Sequence, residues 1–311
     1  MTTGKRFSVA GVLFLAGLGI SVALQQWGSR GVASAPGVEP GPQAAPAPPQ
    51  RIVAIPPSAV EFLFALGAGG RVAAVGDWCR HPPEATRLPR IGGETNPGLE
   101  RILALRPDLL IVQGKADKVE AFGREHGIRI LHMNTDTLPT LRAGVRELGR
   151  LVGCAAEAER LAARIDLDLA TVAHRVAGRP RPRVFLCMNH SPGTLRGLST
   201  AHGASLLSGL LEIAGGHNVL GDVELAYPPV SKEELLRRAP EVILDLHPGE
   251  ELSDEARRQL LADWQAMATV PAVRDGRIHI LTDDTLLIPG PRVTHVARRL
   301  AEILHPEAGT E

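Results

Sequence analysis

The chain contains 311 residues, a length that favours two structural lobes over a single core. Its 34 lysine and arginine residues balance its 34 aspartate and glutamate residues, and aromatic residues make up only 3% of the chain. This composition excludes a nucleic-acid-binding protein, which would present a basic surface and aromatic stacking platforms. It also excludes a fibrous or wholly disordered chain.

The first 50 residues are expected to direct export. Lys5 and Arg6 precede residues 7–24, which carry no formal charge and would span roughly 27 Å as a helix, enough to cross a bilayer. Residues 1–35 are therefore predicted to be either a cleaved signal peptide or an uncleaved membrane anchor, with a buried core helix as the remaining alternative. Residues 36–50 are rich in Pro and Ala and are predicted to form an extended linker. Export would place the folded part in the periplasm.

An internal repeat predicts the architecture of the folded part. Residues 100–112 and 233–245 each begin with a glutamate at a helix start, reach a proline seven residues later and end in a buried strand. Opening strands at 51–55 and 183–187 extend the match. Strands that alternate with helices are typical of an α/β fold, here of two Rossmann-like lobes with mainly parallel sheets.

A single long helix is predicted to connect the two lobes. Residues 155–177 are rich in good helix formers and would make roughly 35 Å of helix. We expect an N-terminal lobe at 51–135, a connecting helical segment at 136–180 and a C-terminal lobe at 181–311. Because one long helix is stiff, we expect the lobes to close only slightly on binding a ligand.

The cysteine pattern and the lack of the catalytic motifs named below do not favour an enzyme. Cys79, Cys154 and Cys187 can form at most one disulfide, and their spacing leaves the pairing open. The chain has no G-x-S-x-G nucleophile motif, no H-E-x-x-H zinc motif and no phosphate-binding P-loop. We expect a binding protein, and the alternative from another class is a metal-dependent periplasmic enzyme.

Four segments carry a resemblance to a known family: residues 51–61, 66–72, 77–83 and 96–100. Together they resemble the substrate-binding proteins of ABC importers for cobalamin, ferric siderophores and haem, over essentially all of 51–305. The resemblance implies a class III periplasmic binding protein, in which one long helix bridges two α/β lobes. It also implies a permease dimer as partner, a monomeric chain and a small-molecule metal chelate that is not covalently bound. The cobalamin-binding members are the most similar, and ferric siderophores and haem stay open.

The resemblance gives Glu100 and Glu233, the glutamates of the repeat, a docking role. In this family one surface glutamate on each lobe enters an arginine-lined pocket of the permease, where charge-assisted hydrogen bonds hold it. The alternative is that each glutamate complements the positive end of its own helix.

Loops after strands are the expected ligand site, because open α/β sheets bind ligands beyond the carboxyl ends of their strands. The resemblance implies aromatic ligand contacts by Trp78 and Tyr227 and a polar contact by Asp284. The alternatives are surface packing for the two aromatic residues and turn capping for the aspartate. The remaining predicted ligand contacts are Pro57, Ser58, Asn189, His190 and His247.

Two positions depart from the cobalamin-binding pattern. Glu94 stands where that pattern has a tryptophan, and Ile288 stands where it has an arginine. Both departures leave the identity of the chelate open, and the missing arginine argues against a strongly anionic siderophore.

The sequence does not predict direct metal binding by side chains. Cys79 and His81 are weak candidates because they lie two residues apart. Three further histidines, His190, His217 and His247, lie near the ends of second-lobe strands, but no defined metal motif has this spacing.

Overall fold

The computed structural model describes residues 47–190, 193–225 and 227–306. The predicted export segment 1–35 and most of the predicted linker 36–50 lie outside the described residues, so both stay predictions. Within the described ranges, no helix combines the length and the apolar character that crossing a membrane requires.

The first lobe is built on a fully parallel sheet of four strands. The strand order is β2-β1-β3-β4, and the strands are β1 Ile52–Ala54, β2 Val72–Val75, β3 Leu109–Val112 and β4 Arg129–His132. Its helices are α1 Pro57–Ala65, α2 Leu99–Ala104 and α3 Asp117–Glu125.

The second lobe is built on a five-stranded, mainly parallel sheet. Its order is β6-β5-β8-β9, with β7 also paired to β5, and only β6 runs antiparallel among the described pairings. The strands are β5 Arg183–Asn189, β6 Ser199–Thr200, β7 His217–Asn218, β8 Val242–Leu246 and β9 Ile278–Leu281. The helices are α6 Leu206–Ile213, α7 Lys232–Arg238, α8 Asp254–Trp264, α9 Pro271–Arg274 and α10 Val293–Leu304. Ser205, Ser231 and Ser253 begin α6, α7 and α8 as N-caps, each accepting a backbone N–H three residues on.

The predicted repeat is present in three dimensions. In each lobe a short helix, α2 or α7, leads into the central strand that follows it, β3 or β8. Arg106 and Ala239 both adopt left-handed backbone angles, with φ of 46° and 44°, directly before the repeated proline. The two helices therefore end within one residue of the equivalent place, because a residue before proline cannot continue an α-helix comfortably. The predicted α/β fold with two mainly parallel sheets is confirmed.

Two helices join the lobes, α4 Leu138–Leu151 and α5 Ala155–Arg175. The α5 helix buries one stripe of residues at helical spacing, which includes Ala162, Ile165 and Leu169. This stripe belongs to a single apolar cluster that also contains first-lobe and second-lobe side chains. The cluster supports a stiff connection, whereas the lobe boundaries at 135 and 180 stay predictions.

Candidate ligand-binding site

A cleft of about 880 Å³ lies between the two lobes at the carboxyl ends of their strands. Loops after β1, β2 and β3 form one wall, and loops after β8 and β9 form the other. This position follows from the parallel sheets, whose strand ends meet at one edge and leave room between the loops. The volume suits a bulky small molecule.

Four predicted contacts line this cleft: Pro57, Ser58, Trp78 and Asp284. Trp78 is 64% exposed, and the guanidinium of Arg80 lies 5.9 Å from its ring centroid. Such exposure is unusual for tryptophan and does not fit the packing alternative. Its free face is available to a flat ligand.

Asp283 performs the turn capping that was the alternative role for Asp284. Asp283 Oδ1 accepts the backbone N–H of Thr285 at 2.9 Å. The carboxylate of Asp284 instead lies 3.4 Å from Nη1 of Arg292 and lines the cleft. Asp284 therefore presents a charge-supported acceptor to the cleft.

Negative charge dominates the cleft. Among its described lining residues, Asp77, Glu94, Glu250 and Asp284 are acidic and Arg80 alone is basic. The cleft is therefore expected to repel anionic ligands.

Tyr227 lies beside the cleft. It lines a neighbouring pocket of about 330 Å³, which shares Gln113, Leu287, Ile288 and Pro289 with the cleft. Tyr227 is 64% exposed and has a left-handed backbone, with φ of 50°. Tyr227 is thus positioned for a ligand that extends beyond the main cleft.

Three predicted contacts lie away from the cleft lining. Asn189 is exposed at the end of β5. His190 is buried, with Nε2 3.1 Å from Oδ2 of Asp245, and His247 Nε2 lies 3.2 Å from Oδ1 of the same carboxylate. The structure therefore joins the two histidines to each other through Asp245.

Sequence reasoning missed two features of the site. Gln113 lines both cavities, and its place directly after the buried strand β3 is a signal that could have identified it. The second feature is a buried ion pair between Glu61 in α1 and Arg292 before α10, with Nη2–Oε1 and Nε–Oε2 distances of 2.5 and 3.0 Å. It links the two lobes beside the cleft, and no local pattern marks a pair 231 residues apart.

The weak metal candidates Cys79 and His81 do not form a favourable site. Cys79 is buried, its thiol faces the carbonyl of Ile55 at 3.5 Å, and burial raises its pKa to about 12. A thiol that stays protonated is a poor metal ligand. All three cysteines are free, so none of the open disulfide pairings is formed.

The repeat glutamates occupy equivalent surface positions. Glu100 lies in the first turn of α2 and Glu233 in the first turn of α7, and both are exposed. The neighbouring Glu234 is bound by Arg237 and Arg238, so Glu233 is the outward anion of its helix. Both roles, docking and complementing the helix end, are compatible with these positions.

A family model described as "Periplasmic binding protein" matches residues 52–285. The chain belongs to this family. It is 30% identical to a vitamin B12-binding protein of Pectobacterium atrosepticum over 268 residues, which cover 84% of this chain and 90% of that protein.

Solved members of the family have the same fold. The periplasmic vitamin B12 binding protein of Vibrio cholerae superimposes with a TM-score of 0.70 at 26% identity, covering 86% of this chain and 100% of that one. A periplasmic heme binding protein from Pseudomonas aeruginosa does so with a TM-score of 0.70 at 28% identity, covering 83% and 93%. The family resemblance and the predicted class III fold are confirmed, and these relatives are binding proteins.

Proposed function

We propose that this chain is the periplasmic substrate-binding subunit of an ABC importer and that it captures a corrinoid, cobalamin, between its lobes. The observation that carries the proposal is the interlobe cleft of about 880 Å³, with the exposed ring of Trp78 on its wall. A flat macrocycle with amide side chains suits an aromatic face next to polar acceptors. The similarity to vitamin B12-binding proteins supports this choice.

The charge and ligand chemistry of the cleft favour a corrinoid over haem and over anionic siderophores. Haem carries carboxylates and ferric catecholates are strongly anionic, so the acidic lining opposes both, whereas cobalamin has no negative excess. None of the described residues that line the cleft is a histidine, cysteine, methionine or tyrosine. These are the usual axial ligands of haem iron. Met188, His202 and Tyr227 line the neighbouring pocket instead.

Calorimetric titration of the full chain with cobalamin, a ferric hydroxamate, a ferric catecholate and haemin tests the proposal. We expect one saturable site for cobalamin with a dissociation constant of about 1 μM or tighter, equivalent to roughly −8 kcal/mol. Saturable binding of haemin or a siderophore alone would refute the corrinoid and retain the importer role. Binding of none of the four by folded protein would refute the chelate class.

Replacing Trp78 with alanine is expected to weaken cobalamin binding roughly 30-fold, because a central aromatic contact contributes about 2 kcal/mol. Calorimetry on the variant measures the loss. Leu167, equally exposed at 64% but located on α5, provides the matched control, and Leu167→Ala should leave the affinity unchanged. Equal affinities for the Trp78 variant and the parent chain would remove Trp78 from the site.

Replacing Glu94 with glutamine is expected to strengthen haemin binding about three- to ten-fold, because it removes one like charge from the cleft. Cobalamin affinity should change much less. Parallel titrations with both ligands measure the difference, and Glu125→Gln, on the exposed end of α3, is the control. A loss of haemin binding would show that Glu94 contacts that ligand directly.

The proposed role also requires export of the chain and delivery of its ligand to the permease. Glu100 and Glu233 would dock the loaded chain onto a permease dimer, because two equivalent anions match a two-fold symmetric partner. Residues 1–35 would send the chain to the periplasm, as a cleaved signal or as an anchor, and residues 36–50 would act as a spacer. No covalent chemistry by this chain is required.

A further inference from the structure

A second polar cluster lies outside the cleft lining, at the carboxyl ends of β5 and β8. It consists of His190, Asp245 and His247, whose ligand atoms all lie within 4.8 Å of one another. The side chains of His190 and Asp245 are at most 1% exposed, and that of His247 is 13% exposed. Buried polar groups of this kind are costly unless each one has a partner.

A hydrogen bond orients the imidazole of His190, and an ion-pair contact orients that of His247. Nδ1 of His190 lies 3.2 Å from the carbonyl oxygen of Thr194, which can only accept, so this nitrogen carries the proton. Nδ1 of His247 lies 3.5 Å from a carboxylate oxygen of Glu250, which favours the same tautomer. In both rings Nε2 is therefore the nitrogen that faces Asp245.

The carboxylate of Asp245 receives these two nitrogens on its two oxygens. Oδ2 accepts the indole N–H of Trp264 at 2.9 Å and lies 3.1 Å from Nε2 of His190. Oδ1 lies 3.2 Å from Nε2 of His247, yet among the described residues neither of these two buried atoms has a hydrogen-bond partner.

The ligand atoms are close enough to share one metal ion, although the two nitrogen–oxygen contacts use different oxygens of Asp245. Ligands about 2.0–2.1 Å from a zinc ion are separated by about 3.3 Å from one another, and the two nitrogen–oxygen separations are 3.1 and 3.2 Å. Outer acceptors on the far nitrogen of each ring, here Thr194 and Glu250, are the usual support of metal-binding histidines.

We propose that His190, Asp245 and His247 bind a divalent transition-metal ion of the zinc class. This ion belongs to the protein itself and differs from the chelate in the cleft. Pro248, Gly249 and Glu250 follow His247 directly and line the cleft. The ion would therefore fix the second-lobe wall against which the ligand binds.

Zinc binding by the full chain, produced without a polyhistidine tag and stripped with a chelator, tests the proposal. We expect one equivalent of Zn²⁺ to remain after equilibrium dialysis at micromolar concentration, and Co²⁺ to give the visible absorption of a tetrahedral site. His247→Gln should weaken zinc binding roughly 100-fold, and Glu250→Gln, which changes the outer support of His247, about ten-fold.

His217→Gln is the matched control, because His217 is 60% exposed and also pairs with a glutamate, Glu212. Its zinc affinity should equal that of the parent chain. Absence of a bound zinc equivalent in folded protein would overturn the site, and so would equal zinc affinities for the His217 and His247 variants. In either case protonated histidines, and not a metal ion, would balance the charge of Asp245. Cobalamin titration is a separate measurement, so its failure would not affect this result.

Discussion

Replacing both Glu100 and Glu233 with alanine is expected to abolish uptake of the ligand while leaving its affinity for the purified chain unchanged. Both carboxylates lie exposed in the first turns of α2 and α7, at equivalent positions of the repeat. Neither lines the cleft. If each lobe docks through one anion, a single replacement should impair uptake partly and the double replacement completely, because charge-assisted contacts at both halves of the permease are lost.

Ligand uptake by cells that depend on this chain, measured beside calorimetry on the purified variants, distinguishes docking from binding. The matched control replaces Glu157 and Glu255, which also lie in first helical turns and bind only an exposed arginine of their own helix. That control should transport normally. Normal uptake by the Glu100 and Glu233 double variant would leave these glutamates as helix-end complements only, and a parallel loss of affinity would place them at the ligand.

Replacing Arg292 with methionine is expected to lower the free energy of unfolding by about 3–5 kcal/mol, because it leaves a buried carboxylate without its partner. The side chain of Glu61 is 1% exposed, and Arg292 binds both of its oxygens. Gly290 packs so closely that an added Cβ would lie 2.8 Å from Oε2, so little room is left for water. Urea unfolding at neutral pH measures the change.

Two further variants separate the contribution of charge to the free energy of unfolding from the contribution of packing. The double variant Glu61→Leu with Arg292→Met should regain most of the lost stability, since removing both charges avoids the unpaired carboxylate. Arg258→Met breaks an ion pair whose side chains are 67% and 80% exposed, and should cost less than about 1 kcal/mol. A loss that small for Arg292→Met would mean that the interlobe pair contributes no more than a surface pair.

Open α/β sheets bind ligands beyond the carboxyl ends of their strands, and this rule identified the edge of the sheets where the cleft lies. It identified only part of the residues that line the cleft. Trp78 and Asp284 line the cleft, and their contact with a ligand stays a prediction. Asp245 and His247 are two residues apart and follow Ile243 on the same face of the sheet, the face that packs against Trp264. His190 joins them from the neighbouring strand. The sequence position of a loop does not determine which face its side chains occupy. It therefore predicts these histidines as ligand contacts, whereas the structure places them outside the cleft lining.

Local patterns in the sequence determined the elements of this fold and their order. Apolar periodicity, helix-ending prolines and the repeated glutamate depend on near neighbours in the chain, so they predicted α2, β3, α7 and β8 correctly. Only the tertiary structure decided the charge of the cleft and the ion pair between Glu61 and Arg292. The same is true of the cluster formed by His190, Asp245 and His247. Each of these features depends on the packing of segments that are distant in sequence. That packing arises because both lobes bury apolar side chains against α5, which no local pattern in the sequence specifies.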